Sequence, residues 1–271
     1  MRSVPSIVYK YMTFNVGEKV LTCKKMRATP PNDFNDPFEM LPRSYTGISD
    51  DILFKEADKR MKSQKYYQLY RTQNPTSSYG DYLAYLGKDP SLVKEVAKKL
   101  KNTMLNRDFT ELVDEASKTF GVLCFSGNND NILMWSHYAN EHKGVVIGFD
   151  SALLWQKWFS VNYQAERIDI PFDESHLSSN YVKAITDVLT TKSLLWEYEN
   201  EFRFIVKLSL CQKEQIGGKD MWFFTLPEGC ITTVICGARM VKEERKKIGE
   251  LFTGTVIDAK MDQREFKVII P

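Results

Sequence analysis

Apolar residues recur along the chain at two spacings, and the shorter spacing predicts strands. Between residues 6 and 12, Tyr9 and Tyr11 share one face of an alternating pattern, which has the period of a strand. Short apolar runs at 121–126, 145–149 and 231–236 are typical of buried strands. Weaker strand patterns lie at 20–27, 161–163, 167–170, 222–226, 255–258 and 266–270.

The longer spacing, close to that of a helix, predicts a helical block over residues 49–119. Within it, Asp89 followed by Pro90 is typical of a helix start. Further helices are predicted at 131–142, just after Asp150, at 175–190 and at 241–252. The pattern therefore predicts a single α+β domain over residues 1–271, with a mixed, mostly antiparallel β-sheet core and 49–119 as a helical insertion or subdomain.

The stretch from Lys192 to Val206 combines apolar and charged residues in an unusual way. Interpreted as one strand, it places Glu197, Glu199, Glu201 and Arg203 on one face, opposite aromatic and β-branched residues. Three carboxylates in a row repel one another. Such a row is therefore expected only where a cation balances the charge or where a chemical role requires it. This face is therefore a candidate site, although an exposed strand with Arg203 between acids has the same pattern.

Composition limits the classes of protein that remain. The chain has 271 residues, 43% of them hydrophobic, and a net charge of +2, which gives no sign of binding nucleic acid through bulk charge. Its 5 cysteines form no Cys-x-x-Cys pair, which argues against disulfides and structural zinc. With no signal-peptide pattern or long apolar run, the expectation is a soluble, cytoplasmic protein that does not bind membranes.

Four patches of polar and aromatic residues follow one another along the chain. They lie at 9–11 (Tyr-Lys-Tyr), 35–39 (Asn-Asp-Pro-Phe-Glu), 124–150 (Cys-Phe-Ser, Met-Trp-Ser-His-Tyr-Ala and Lys-Gly-x-x-x-Gly-Phe-Asp) and 196–203 (Trp-x-Tyr-Glu-x-Glu-x-Arg). In these motifs and their order, the chain resembles a bacterial family known as domain of unknown function 2971. The resemblance spans most of the chain outside 49–119 and implies no particular activity.

A second resemblance, to mono-ADP-ribosyltransferases, rests on the order of three motifs. That family holds NAD on a small split β-sheet, and its signature runs from a first-strand Arg, His or Tyr through a middle Ser to a late Glu-x-Glu. Here these positions correspond to Tyr9–Tyr11, Ser126 and Glu199-Asn200-Glu201. The chain departs from the family in having Cys-Phe-Ser as its middle motif and no first-strand arginine or histidine.

This resemblance implies a split sheet, NAD as the substrate and cleavage of the nicotinamide–ribose bond. Glu201 would be the catalytic residue, Glu199 would contact or activate the acceptor, and Ser126 would hold Glu201 by a hydrogen bond. The residues expected to bind NAD are Tyr9, Lys10, Tyr11, Asn35, Asp36, Ser126, Trp135, His137, Tyr138 and Arg203. The acceptor would be a protein or nucleic acid, and the setting a toxin or phage-defence effector with an antitoxin or other partner protein.

Two other classes of function fit the same residues. Asp36, Glu39, Glu199 and Glu201 suit a hard divalent metal in a nuclease or other hydrolase, whereas the NAD hypothesis requires no metal ligands. Alternatively, Arg203 and Lys10 would contact phosphate in a non-catalytic nucleotide-binding module. Structural roles are also open: Trp135 and His137 as core residues, and Arg203 as the ion-pair partner of Asp36, Glu199 or Glu201.

Overall fold

A computed structural model describes residues 2–46, 49–105, 110–154, 157–171 and 182–271. The chain divides into two compact units. The first comprises Met1–Met40, Glu111–Arg167 and Asp187–Pro271, and the second comprises Leu41–Thr110 and Ile168–Thr186. None of the helices in the described ranges is both long enough and apolar enough to cross a membrane.

The helices are α1 Phe14–Cys23, α2 Asp50–Met61, α3 Gln64–Gln73, α4 Tyr79–Lys88, α5 Ser91–Leu105, α6 Thr110–Thr119, α7 Ile132–Tyr138, α8 Val182–Leu189 and α9 Lys242–Leu251. Short 3-10 helices lie at Pro31–Asp33, Leu194–Glu199 and Leu208–Leu210. The strands are β1 Ile7–Met12, β2 Lys25–Arg27, β3 Ser44–Thr46, β4 Phe120–Ser126, β5 Val145–Asp150, β6 Trp158–Ser160, β7 Asn162–Gln164, β8 Asp169–Pro171, β9 Thr191–Ser193, β10 Glu201–Lys207, β11 Gln212–Ile216, β12 Lys219–Thr225, β13 Ile231–Cys236, β14 Thr255–Asp258, β15 Lys260–Met261 and β16 Val268–Ile269.

The main sheet of the first unit has the strand order β14-β13-β5-β1-β4-β10-β6 in the described part of the chain. Neighbours in this sheet are antiparallel except for β13 and β14, which are parallel. The predicted α+β class with a mixed, mostly antiparallel sheet is therefore confirmed. The central position of β1 follows from its composition, because Val8, Tyr11 and Met12 are all buried and need cover on both faces.

Both faces of this sheet are covered by apolar side chains. On one face, Val8 and Met12 belong to a core cluster that includes Val20 and Leu21 of α1 and Ile248 of α9. On the other face, Tyr11 packs with Trp135 of α7 in a second cluster, and the two rings meet edge to face. Burial on two faces explains why the central strands are apolar runs rather than simple alternations.

The second unit contains helices α2 to α5 of the predicted block, whereas α6 lies in the first unit from Glu111 onwards. Helix α2 packs against α3 and α5, and β3 pairs in parallel with β8. A group of tyrosines on α3 and α4 packs ring against ring in T-shaped and tilted arrangements, with Tyr67, Tyr70, Tyr79, Tyr82 and Tyr85 as its members. The helical character of 49–119 is thus present in α2 to α6, while the interpretation of the whole chain as one domain stays a prediction.

Several predicted elements differ in the structure. The strand predicted at 20–27 is a helix as far as Cys23, and only Lys25–Arg27 is extended. The helix predicted at 131–142 ends at Tyr138 because Asn140, Glu141 and His142 have left-handed backbones with φ of 47°, 55° and 66°. After Asp150 the described residues form turns rather than a helix. Residues 155–156, and residues 175–181 of the helix predicted at 175–190, lie outside the described residues.

The largest correction concerns the stretch from Lys192 to Val206, which is not one strand. Residues 194–199 form a 3-10 helix, Asn200 is left-handed with φ 45° and ψ 51°, and the strand begins only at Glu201. Glu197 therefore leaves the predicted acidic row and is exposed, whereas Glu201 and Arg203 do share one face of β10. The acidic pattern came from two elements joined by a left-handed residue, which a period of two cannot represent.

Candidate functional site

Three predicted site residues lie in one row across three neighbouring strands. In the pairing of β1 with β4, Tyr9 lies opposite Ser126, and in the pairing of β4 with β10, Ser126 lies opposite Glu201. Residues directly opposite each other in antiparallel strands project from the same face of the sheet. The side chains of Tyr9, Ser126 and Glu201 are therefore neighbours, although they are far apart in the sequence.

The sheet opens beside this row. In the described strands, Tyr9–Ser126 is the one registered pair between β1 and β4, whereas β1 is paired with β5 along its whole length. A cavity of about 320 Å³ lies where the two strands separate, which is at the lower end of the range for small-molecule sites, about 300–1,000 Å³. The predicted site residues that line it are Tyr9, Lys10, Tyr11, Asn35, Ser126, Tyr138, Glu199 and Glu201.

Lys10 supports the opening in the sheet. Its Nζ donates to the backbone oxygen of Cys124 on β4 at 2.7 Å. An ammonium group thus supplies the hydrogen-bond donor to a strand carbonyl at a point where β1 no longer runs beside β4. Because an ammonium has three donors, Lys10 can satisfy this carbonyl and still present positive charge to the cavity.

A cluster of five buried charged groups forms one wall of the cavity and the layer behind it. The exposed fractions are 0% for Arg203, 3% for Glu201, 4% for Glu199, 6% for Glu39 and 8% for Lys192. Three carboxylates thus share two cations, and one negative charge is left over. Buried charges are costly unless they are paired and hydrogen-bonded, so the geometry of this cluster decides whether it can exist.

Lys192 is the centre of the pairing. Its Nζ lies 2.6 Å from Glu199 Oε2, 3.0 Å from Glu39 Oε1 and 3.3 Å from Glu201 Oε2. Although burial opposes its charge, the three carboxylates raise the pKa of Lys192. A single ammonium therefore holds three acids around one point, as a bound cation would.

Arg203 binds the same carboxylates from the interior of the protein. Its Nε donates to Glu201 Oε1 at 2.8 Å, and its Nη2 donates to Glu39 Oε2 at 2.7 Å. The remaining donor Nη1 is satisfied by the backbone oxygen of Leu189 at 2.7 Å. The predicted ion pair of Arg203 with Glu201 is confirmed, and Glu39 rather than Asp36 is its second carboxylate.

The two glutamates of the Glu-x-Glu motif differ in their tendency to hold a proton. Burial alone would raise the pKa of Glu201, but the charges of Arg203 and Lys192 lower it to about 2. Burial raises the pKa of Glu199, and the attraction of Lys192 offsets this only in part. Glu201 is therefore a fixed anion at neutral pH, while Glu199 is the better proton acceptor of the two.

Neighbouring hydroxyl groups fix the position of these glutamates. Tyr138 Oη donates to Glu199 Oε1 at 2.6 Å, and the backbone N of Glu201 donates to Tyr163 Oη at 2.7 Å. Ser126 Oγ donates to the backbone oxygen of Glu199 at 2.7 Å. The predicted hydrogen bond from Ser126 to Glu201 is therefore wrong for the Ser126 hydroxyl, which instead holds the turn that carries both glutamates.

Four predicted residues do not line the cavity. Asp36 accepts a hydrogen bond from Trp196 Nε1 at 2.8 Å. Trp135 is a fully buried residue of α7, and Arg203 is fully buried behind the glutamates. His137 is exposed and its Nδ1 lies 3.2 Å from Tyr198 Oη. These residues stabilise the wall of the cavity rather than face a ligand within it.

Sequence reasoning missed several residues that the structure brings to the cavity. Besides Lys192, these residues are Arg27 and Cys124. Glu39 also lines the cavity, whereas the sequence suggested it only as a metal ligand. Lys192 stands at the start of the acidic stretch. Its positive charge was the signal that could have identified it as a counter-ion for these glutamates. Burial raises the pKa of the Cys124 thiol, and the charge of Glu201 adds to that effect, so this cysteine stays protonated.

Comparison with known proteins adds one finding. Residues 134–204 match a family model described as Protein of unknown function (DUF2971). The predicted resemblance to this family is confirmed for that range. The DUF2971 segment runs from α7 to the middle of β10 and so contains Tyr138, Lys192, Glu199, Glu201 and Arg203. No curated protein and no solved structure matches the chain.

The site can hold an organic ligand more readily than a metal ion. In the described ranges, no group of three or more His, Cys, Asp or Glu side chains is arranged to bind a metal. The point where the oxygens of Glu39, Glu199 and Glu201 converge is taken by the Lys192 ammonium. An anionic wall next to tyrosine rings suits instead a ligand that develops positive charge close to a planar group.

Proposed function

We propose that this protein cleaves NAD at the nicotinamide–ribose bond and transfers ADP-ribose to a macromolecular acceptor. The observation that carries the proposal is the row Tyr9–Ser126–Glu201 beside a cavity in the opened sheet. In the resemblance to mono-ADP-ribosyltransferases, these residues correspond to the three positions of the family signature. Their lateral alignment supports a shared site, which motif order by itself does not.

The charges of the two glutamates suit this reaction. When the C1′–N bond of NAD breaks, its electron pair leaves with nicotinamide and positive charge develops on the ribose ring. Glu201 stays ionised because its pKa is about 2. Its carboxylate can therefore stabilise the positive charge on the ribose and does not take up a proton from a ribose hydroxyl. Since it is held by Arg203 and Lys192, it is already oriented before the ligand binds.

Glu199 is placed to handle the proton of the acceptor. The acceptor nucleophile forms a bond to C1′ and must lose a proton, and Glu199 lines the same cavity with a raised pKa. Its second oxygen is held by Tyr138. Because proton acceptors work best when their pKa approaches the working pH, Glu199 is the better candidate for this step.

The tyrosines supply a surface for the nicotinamide ring. Tyr9, Tyr11 and Tyr138 line the cavity. The Tyr11 hydroxyl donates to the backbone oxygen of Asn128 at 3.0 Å, and its ring packs against Trp135. A ring fixed in this way loses little freedom when a planar ligand stacks on it.

The metal-dependent alternative has less support. Its four carboxylates do not all meet, since Asp36 accepts a hydrogen bond from Trp196, and the Lys192 ammonium occupies the point where the other three converge. A divalent ion in that place would have to displace a buried ammonium group.

Replacement of Glu201 by glutamine tests the proposal. Glu201→Gln keeps the shape of the side chain but removes the charge, so release of nicotinamide from NAD is expected to fall about 100-fold or more. The measurement is nicotinamide release followed by chromatography, together with the transfer of labelled ADP-ribose to protein or nucleic acid. The matched control is Glu197→Gln, which removes the same charge from an exposed position in the same segment.

A second variant separates the two glutamates. Glu199→Gln is expected to retain part of the nicotinamide release and to lose transfer to the acceptor. Circular dichroism of each variant establishes whether it is folded. If folded Glu201→Gln releases nicotinamide at the rate of Glu197→Gln, the proposal is wrong.

A further inference from the structure

The cavity extends along β4 away from the glutamates. Alternate residues of this strand, Ser126, Cys124 and Val122, line it in turn. At the Val122 end, Thr29 takes the place of a strand partner: Val122 N donates to Thr29 O at 2.8 Å, and Thr29 N donates to Val122 O at 3.0 Å. Four residues of extended chain, roughly 13 Å, separate this end from Ser126.

Arg27 reaches the cavity at this far end. It lies on β2 two residues before Thr29, and its neighbour Met26 is buried in the core cluster on the opposite side of that strand. Because side chains alternate along a strand, Arg27 projects away from the core and lines the cavity. The cavity thus has the glutamates with Lys192 at its Ser126 end, and the guanidinium of Arg27 with Asp33 at its Val122 end.

The guanidinium of Arg27 is incompletely satisfied. Its Nη2 contacts Asp33 Oδ2 at 2.5 Å. Its Nε is buried, and no acceptor among the described residues lies within hydrogen-bonding distance of it. A buried donor without an acceptor is unfavourable, so an arginine in this state is a ready site for an anion that can accept two parallel hydrogen bonds.

We propose that Arg27 binds the pyrophosphate group of a nucleotide ligand whose ribose lies at the Glu201 end of the cavity. This inference rests on the proposed function and deepens it by assigning the anionic part of the substrate to a residue. The charges along the cavity favour one direction for the ligand, because phosphates are repelled by the one uncompensated negative charge of the glutamate cluster and attracted to Arg27 and Lys10.

Asp33 competes with the anion for the same guanidinium. It lines the cavity as well, and its pair with Arg27 is partly exposed, with side-chain exposures of 43% and 38%. Exposed pairs contribute little to stability, so a pyrophosphate group can take over part of this contact. Arg27→Gln and Asp33→Asn should therefore change anion binding in opposite directions.

The test is calorimetric titration of the full chain with inorganic pyrophosphate and, separately, with NAD. We expect Arg27→Gln to weaken the binding of both about tenfold or more, and Asp33→Asn to tighten the binding of pyrophosphate several-fold. The matched control is Lys25→Gln, which removes a positive charge from the same strand, where Lys25 pairs with the exposed Glu214. This control should bind pyrophosphate as the wild type does.

The outcomes separate the two proposals. If pyrophosphate does not bind the wild type, or binds Arg27→Gln as tightly as Lys25→Gln, the assignment of Arg27 is overturned whether or not NAD is cleaved. Weaker binding of pyrophosphate to Asp33→Asn also counts against it. If pyrophosphate binding depends on Arg27 while the wild type leaves NAD intact, the anion site stands and NAD cleavage does not.

Discussion

Lys192 is the residue on which the balance of charge in the site depends. Without it, Glu39, Glu199 and Glu201 would share Arg203 alone, and two negative charges would be buried without a counter-ion. Its contacts of 2.6, 3.0 and 3.3 Å with the three carboxylates make it a positioning residue for both glutamates of the Glu-x-Glu motif.

Replacement of Lys192 by methionine is therefore expected to lower the free energy of unfolding by about 3–5 kcal/mol, because it leaves buried charge unpaired. Adding Glu199→Gln should restore part of the loss, since the double variant, like the wild type, has only one more buried anion than cation. The measurement is urea unfolding of the wild type, both single variants and the double variant, analysed as a double-mutant cycle. Strict additivity of the two substitutions would contradict this account.

For single residues, the sequence identified those site residues whose neighbours are set by strand pairing. It did not identify the contacts that join elements far apart in the chain. Tyr9, Ser126 and Glu201 were predictable because each belongs to a clear apolar or motif-bearing segment. The contact between Lys192 and Glu39 was not, because it joins residues 153 positions apart through a short strand and a loop. No periodicity within either segment contains that information.

Among the elements, the turn at Asn200 controls the direction of the two glutamates. Asn200 joins the 3-10 helix Leu194–Glu199 to β10 in a left-handed conformation. Its side chain also contacts Arg2 and donates to Asn128 Oδ1 at 3.0 Å. Asparagine tolerates this conformation better than most residues, so the middle residue of the Glu-x-Glu motif has a structural role of its own.

A pair of variants isolates the backbone contribution of this turn. Asn200→Gly and Asn200→Ala both remove the side-chain hydrogen bonds, but only alanine has a Cβ that crowds a left-handed backbone. We expect Asn200→Ala to be less stable than Asn200→Gly by about 1 kcal/mol. The check is a comparison of their chemical unfolding midpoints, and equal midpoints would mean that the turn is not strained.

Element type was predictable wherever a segment was long and periodic, as in β1, β4, β5, α5 and α9. The errors arose at short segments and at changes of conformation. The three-residue strand β6 and the exposed strand β11 carry too little apolar pattern to be recognised. The stretch at 192–206 was misassigned because an alternating charge pattern arises equally from a helical turn followed by a strand.

For the whole molecule, the ion pairs of Glu201 predict how stability depends on pH. Its folded pKa of about 2 lies below the ordinary glutamate value of 4.5, so its contribution is complete above pH 4.5 and is lost as the pH falls through 2. We expect Glu201→Gln to be less stable than the wild type by about 3 kcal/mol near pH 7. The difference should shrink towards zero below pH 3, since protonated Glu201 resembles glutamine.

Urea unfolding of both proteins at pH 7, pH 4 and below pH 3 provides the measurement. Replacement of Glu197 serves as the control, because this exposed glutamate takes no part in the cluster. A difference between wild type and Glu201→Gln that stays constant with pH would contradict the assigned pairing.

The α+β class with its mostly antiparallel sheet followed from the order of strand and helix patterns. The strand order β14-β13-β5-β1-β4-β10-β6 did not, because it requires β1 to lie between strands from the middle of the chain. The position of the cavity depends on that order. The sequence could therefore indicate which residues belong to a site but not how the sheet makes room for it.

Tyr9–Ser126 is the one registered pair that joins β1 to β4 among the described residues, so two half-sheets, β14-β13-β5-β1 and β4-β10-β6, meet at one rung. A molecule lodged between β1 and β4 would contact both halves and act as an additional rung, so its binding would add to the free energy of unfolding. At 100 times its dissociation constant, such a ligand raises the free energy of unfolding by about 2.7 kcal/mol. The melting temperature should therefore rise with ligand concentration in thermal scans with NAD or ADP. This rise measures binding of the ligand and does not depend on whether a reaction takes place.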